Sequence, residues 1–206
     1  MEMLMRNHAA SLVNRVRMRR SLRWIALVVA VSLTTRTAAA QGLTMALGMG
    51  SGSGGDFAER ESIAVSAAFD HGKAFAKNAA LAWRIGTTAT LRNGSDLGCE
   101  VRPGGACPPA EPDLLTLHAA AGARVGADRA SLSLFAGPEF YATRGTPRDG
   151  TSGLGALWAL TGHISVVRNV ALGATVEQHY ARYLGQTLRV STLMFAVRLG
   201  PTAFPR

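Results

Sequence analysis

The chain has 206 residues, 48% hydrophobic and 6% aromatic, with 22 Lys and Arg against 13 Asp and Glu for a net charge of +9. Seven of the arginines and one acidic residue fall in the first 40 positions, so the remaining 166 residues carry only +3. That balance, with few aromatics and no basic run interleaved with them, excludes nucleic acid as a partner, and 166 residues make one domain.

The N-terminus has the order of an export signal. Arg15, Arg17, Arg19, Arg20 and Arg23 form a basic block, Trp24 to Leu33 an apolar run, and Ala38-Ala39-Ala40-Gln41 a small-residue cleavage site. The apolar run is half the length of a membrane-spanning helix, which needs about 20 residues. A cleaved helical signal peptide over 1–40 is expected, with the mature chain starting at Gln41. Met18-Arg19-Arg20-Ser21-Leu22-Arg23 is a compact basic region by itself, which makes Met18 the expected translation start.

Beyond Gln41 the hydrophobic period is two, broken by Gly, Asp, Asn and Pro clusters, and eight strands are predicted. Strand one, 43–50, sets Leu43, Met45, Leu47 and Met49 against Thr44, Ala46, Gly48 and Gly50. The Gly50, Gly52 and Gly55 that follow, with Asp70 downstream, spell a dinucleotide fingerprint. The fingerprint needs a helix opening at its last glycine, and Asp56-Phe57-Ala58-Glu59-Arg60 leads into a strand instead, so this stretch reads as a loop and no cofactor is expected. Strand two, 62–70, carries Ile63, Val65, Ala67 and Phe69 on one face. Strand three, 80–92, sets Leu81, Trp83 and Ile85 against Arg84 and Gly86.

The link from Asn93 to Asp113 is the longest and holds the two cysteines, Cys99 and Cys107. An exported chain meets an oxidising compartment, and two thiols with no histidine or third cysteine nearby make a poor metal site, so a Cys99–Cys107 disulfide is expected and no metal. Strand four, 114–126, sets Leu115, Leu117 and Val125 against His118 and Arg124. Strand five, 131–141, sets Leu132, Leu134 and Phe140 against Ser133, Glu139 and Tyr141, with a bulge expected near Gly137 where Pro138 interrupts it. Strands six (153–164), seven (170–180) and eight (187–199) continue the scheme, with Glu177 and His179 on the polar face of the seventh. The links run about 11, 9, 21, 4, 11, 5 and 6 residues, a rough alternation of long and short.

One face of this pattern is bulky and aliphatic, and the other is small and polar but carries Arg84, His118, Arg124, Glu139, Glu177 and His179. A soluble barrel fills its inside with bulky apolar groups. The reverse arrangement puts the small polar face inside and the apolar face against lipid. The six charged and histidine side chains are then a lumen network, with Arg84 and Arg124 neutralising Glu139 and Glu177. Trp83, Trp158, Tyr141 and Tyr180 are candidates for aromatic girdles at the membrane interfaces.

The leader ending Ala38-Ala39-Ala40-Gln41, the eight strands and Gly137-Pro138-Glu139-Phe140 resemble the small bacterial outer-membrane β-barrels of the OmpA/OmpX-like kind. The resemblance covers the whole mature chain. It implies an all-β, eight-stranded antiparallel up-and-down transmembrane β-barrel over 41–206 in the cell outer membrane, with outer-membrane lipid and the barrel-assembly machinery as partners and a monomer as its state. It implies a structural or surface-interaction role through the outer loops, without catalysis and with no ligand specified. Two alternatives stand beside it. One is a lipid A-modifying enzyme, for which His118, His179, Glu177 and Ser133 are the residues to consider; the His-x-Ser pair that such barrels share is His179-Tyr180-Ala181 here. The other is a soluble periplasmic ligand-binding barrel, which requires the apolar face to point inward.

Overall fold

A computed structural model describes residues 42–53, 61–92, 112–127, 129–144 and 151–200. The leader, Cys99 and Cys107 lie outside the described residues. Eight strands follow one another: β1 (Gly42–Ser53), β2 (Glu61–Ala76), β3 (Ala79–Arg92), β4 (Asp113–Gly126), β5 (Ala130–Arg144), β6 (Ser152–Val167), β7 (Val170–Tyr183) and β8 (Gln186–Leu199). Each pairs antiparallel with its neighbours in sequence, and β1 pairs with β8 from Leu43↔Leu199 to Ser53↔Arg189, which closes the sheet into a barrel. Closure leaves no strand edge unpaired, the general solution for a sheet whose backbone groups cannot rely on water.

The strands are longer than the alternating pattern alone indicates. β2 continues past Asp70 to Ala76, and β3 starts at Ala79, so their link is the two-residue turn Lys77-Asn78 rather than about nine residues. His71-Gly72-Lys73-Ala74 lacks a clear apolar alternation, yet ladder hydrogen bonding to β3 carries it as strand. The β7–β8 link likewise shrinks to Leu184-Gly185, with φ of 51° and 79°. Positive φ at both central residues marks the type I′ class, whose twist matches that of the flanking strands. The barrel therefore has one end with three tight turns, the start of β1 and the finish of β8, and another from which the three longer connections leave together with the Leu184-Gly185 turn. At the turn end the hairpins are tied to one another by backbone bonds: Gly126 N–H donates to Asn78 O at 3.0 Å, Ser165 N–H to Arg129 O at 2.7 Å and Gly200 N–H to Asn169 O at 2.9 Å.

The expected bulge near Gly137 is not present. The β4–β5 register is the same on both sides of Pro138, from His118↔Glu139 to Ala121↔Ala136, and the β5–β6 ladder runs through Pro138↔Ala156 unbroken. Proline removes one donor, so β5 loses two pairings to β4 without gaining a residue. Register shifts occur instead beside two of the tight turns, at Ala74/Ala76 and Ser165/Val167.

The faces are inverted relative to a soluble barrel. Leu47, Leu117, Leu134, Phe195 and the other aliphatic positions point outward and stay exposed, Leu193 at 63%. Inside lie glycine, alanine, serine and threonine with the charged groups, at burial near completion. This excludes the inward apolar face that a soluble ligand-binding barrel requires. A narrow lumen explains the composition, because strands this strongly curved bring backbone into contact with the inner face: a side chain added at Gly122 would strike the carbonyl of Leu134. Tyr141 is the one expected girdle residue that points inward, 4% exposed, because it shares parity with Glu139.

Candidate functional site

All six residues expected in the lumen, Arg84, His118, Arg124, Glu139, Glu177 and His179, are buried on the inner face. Strand parity puts them there, since each sits between outward-facing neighbours, as Arg84 does between Trp83 and Ile85 and Glu177 between Val176 and Gln178. Asp70, Arg198 and His163 join them. The alternation carried the signal for these three as well. Asp70 follows Phe69, Arg198 stands between Val197 and Leu199, and His163 precedes Ile164 at the end of its strand pattern.

Asp70 is the hub. The ladder places it directly opposite Arg84, whose Nε–H donates to Oδ1 at 2.7 Å while Nη2 reaches Oδ2 at 3.4 Å. Arg198 Nη1 lies 3.5 Å and Arg124 Nη2 3.9 Å from the same Oδ2, and Thr44 Oγ1 donates to it at 3.0 Å. Arg84 then bridges to the second group, its Nη1 standing 3.5 Å from Glu177 Oε1. Its Nη2 donates to Thr161 Oγ1 at 3.2 Å, and the guanidinium lies over the Phe135 ring, 4.5 Å from the centroid. Glu177 also accepts from Thr88 Oγ1 at 2.7 Å and Ser66 Oγ at 3.3 Å. His179 stands between two carboxylates, sharing a 2.7 Å hydrogen bond from Nδ1 to Glu139 Oε2, with Nε2 3.4 Å from Glu177 Oε2.

The pairing thus differs from the expected one. Arg84 is bound more closely to Asp70 than to Glu177, Arg124 meets Asp70 and donates through Nε to Ser133 Oγ at 2.9 Å, and Glu139 is held by His179. The reason is proximity. A carboxylate facing Arg84 across one ladder rung outcompetes any partner across the lumen. Three carboxylates and three guanidiniums balance among the described inner side chains, so the column is neutral apart from its histidines. Towards the loop end it is capped by an apolar cluster of Leu114, Tyr141, Ala181, Tyr183, Leu188 and Val190.

Chemically this is an ionic column built for cohesion. Of the residues considered for hydrolysis, Ser133 accepts from Arg124 and His179 is engaged by Glu139 and Glu177 rather than by a hydroxyl, while both ring nitrogens of His118 are buried without a hydrogen-bond partner among the described residues.

No protein-family model and no curated protein matches the sequence. Solved structures do. Neisserial surface protein A (NspA) superposes with a TM-score of 0.60 at 12% identity, over 80% of this chain and 99% of that one. Ail, the attachment invasion locus protein of Yersinia pestis, matches at 0.49 with 10% identity, over 79% and 100%. The outer membrane enzyme PagL matches at 0.48 with 13% identity, over 77% and 99%. The chain has the eight-stranded, antiparallel up-and-down fold of the small outer-membrane β-barrels.

Proposed function

We propose that this barrel resides in the bacterial outer membrane as a monomer, delivered by a cleaved signal peptide and folded by the barrel-assembly machinery, and that it acts without catalysis, through the connections at its loop end. The observation that carries this reading is the inversion of the faces: a continuous outward aliphatic surface around a lumen closed by Asp70, Arg84, Glu177, His179 and Glu139. Each strand has 12 to 16 residues, more than the roughly 9–11 that a tilted spanning strand needs. The excess carries the strands past the apolar zone. The connections over 54–60, 93–112 and 145–151 all leave the same end, as a surface-interaction role requires.

The test is fractionation with gel mobility. The protein is expected in the outer-membrane fraction after a salt wash, migrating differently in unboiled and boiled detergent samples. Recovery in the soluble fraction, with one mobility, would overturn the reading. An enzyme would instead reveal itself by altering the acylation of lipid A in membranes that contain it.

A further inference from the structure

The outward wall of β7, β8 and β1 changes character towards the loop end. Along β7 the outward side chains run apolar to Val176 and then turn to Gln178, Tyr180 and Arg182; along β8 Leu193 gives way to Ser191 and Arg189. The register sets Gln178 opposite Ser191 and Tyr180 opposite Arg189, so the polar ends form one patch. Gln178 faces outward yet is only 4% exposed. Trp158 Nε1–H and Tyr180 O–H both donate to its Oε1 at 2.6 Å, and its Nε2 donates to Ser191 Oγ at 3.1 Å. This network satisfies a polar group on an apolar wall and lays two amphipathic rings where the wall ends, the level that tryptophan and tyrosine take at a membrane interface.

Arg189 stands level with Tyr180 and Arg182 one outward position beyond it; both are exposed, and neither makes an ion pair among the described residues. The β7–β8 ladder fixes the backbone of both, through Arg182↔Thr187 and Tyr180↔Arg189. The Arg182 carbonyl accepts from Tyr141 O–H at 3.0 Å and Thr151 Oγ1 at 3.2 Å, and the two-residue Leu184-Gly185 turn joins the two strands directly above them. Two guanidiniums with no ion pair among the described residues, at the edge of an apolar wall, complement a phosphate attached to acyl chains. The planar donor fork takes phosphate oxygens two at a time, and the chains find aliphatic surface below.

We propose that Arg182 and Arg189 bind the phosphorylated headgroup of a membrane lipid, whose acyl chains lie against Val176, Leu193 and Met49. The proposal rests on the membrane-barrel reading. Its test uses the purified full chain in detergent, with native mass spectrometry after titration of bisphosphorylated lipid A or the same lipid stripped of phosphate. The wild type is expected to retain the phosphorylated form roughly tenfold more strongly, the factor that loss of two charge-assisted contacts at an exposed site implies. Arg182→Gln/Arg189→Gln is expected to abolish that preference, and Arg144→Gln, an exposed arginine on β5, to leave it intact. Equal retention of the two lipids by the wild type, or an unchanged preference in the double variant, overturns the proposal. Displacement of the lipid by inorganic phosphate alone would show a free-anion site and overturn it too. Heat-modifiable mobility of the same samples separates the two readings: without it the membrane barrel itself fails, and with it a negative titration removes only the lipid site.

Discussion

Asp70 gathers the lumen's three buried arginines around one carboxylate. Three arginines approach its carboxylate within 4 Å: Arg84 at 2.7 Å, Arg198 at 3.5 Å and Arg124 at 3.9 Å. Breaking a buried pair from one side costs about 3–5 kcal/mol, because the other charge is left uncompensated. Asp70→Ala is therefore expected to destabilise the barrel by at least that much, and Arg84→Ala by a similar amount, since it strands Asp70 and Glu177 together. The combined Asp70→Ala/Arg84→Ala variant is expected to lose less than the two singles added. Urea unfolding in lipid vesicles checks all three, and strict additivity would show that the contact contributes no coupling. The six lumen residues named from the sequence were legible because parity alone decides which side of a strand a residue takes. Asp70 was missed as a partner because its strand was read as ending there, and its importance comes from standing opposite Arg84 on the neighbouring strand.

The β7–β8 hairpin is the element whose local chemistry matches its shape least. Leu184 occupies φ 51°, a region that costs a side chain with a Cβ about 1–2 kcal/mol, while Gly185 at 79° meets the turn's demand freely. Leu184 is half exposed and gives up little burial if replaced. Leu184→Asn is expected to raise stability by about 0.5–1 kcal/mol, because asparagine tolerates the left-handed region, and Gly185→Val to lower it by about 1–2 kcal/mol. Denaturant midpoints at unchanged slope decide both. The same hairpin shows why link lengths were overestimated from the sequence. Ala181-Arg182-Tyr183 and His71-Gly72-Lys73 carry polar side chains on the outer face near the barrel ends, where the apolar alternation stops but the hydrogen-bonded ladder does not. The long link between β3 and β4 holds Cys99 and Cys107 in sequence, and a disulfide between them is expected. Mass spectrometry of non-reduced protein is expected to find the linked peptide, and closing that short loop is worth roughly 2–3 kcal/mol in the chain-entropy model.

For the molecule as a whole, the outward surface decides where it can exist. Leu47 sits mid-strand on the aliphatic wall and Ser53 at its loop end. An arginine against lipid costs about 2–4 kcal/mol at the bilayer midplane and about 0–1 kcal/mol near an interface. Leu47→Arg is accordingly expected to weaken folding into vesicles by several kcal/mol, and Ser53→Arg to have little effect. Equal effects would show that this wall does not face lipid. At the other end of the chain's history, N-terminal sequencing of mature protein is expected to begin at Gln41, and residues from before Ala38 would contradict export through that cleavage site.

Alternation of small and bulky residues by itself determined that this chain forms eight strands, which side chains share a face, and that the aliphatic face is the outer one. Those properties follow from the period of a strand and from the volume a narrow lumen allows, both of which are local or compositional. Only the closed barrel decided which charges meet. Arg84 contacts Asp70 because β2 and β3 pair in one register, and Glu139 contacts His179 because β5 and β7 flank β6 and both side chains point inward over it. The outward patch of Gln178, Arg182 and Arg189 arose the same way, since it is split between two strands that read as ordinary polar ends in sequence and becomes one surface when the hairpin turns through two residues. Pairing across strands depends on register and curvature, and these are set by the hydrogen bonds of the whole ring rather than by any segment of it.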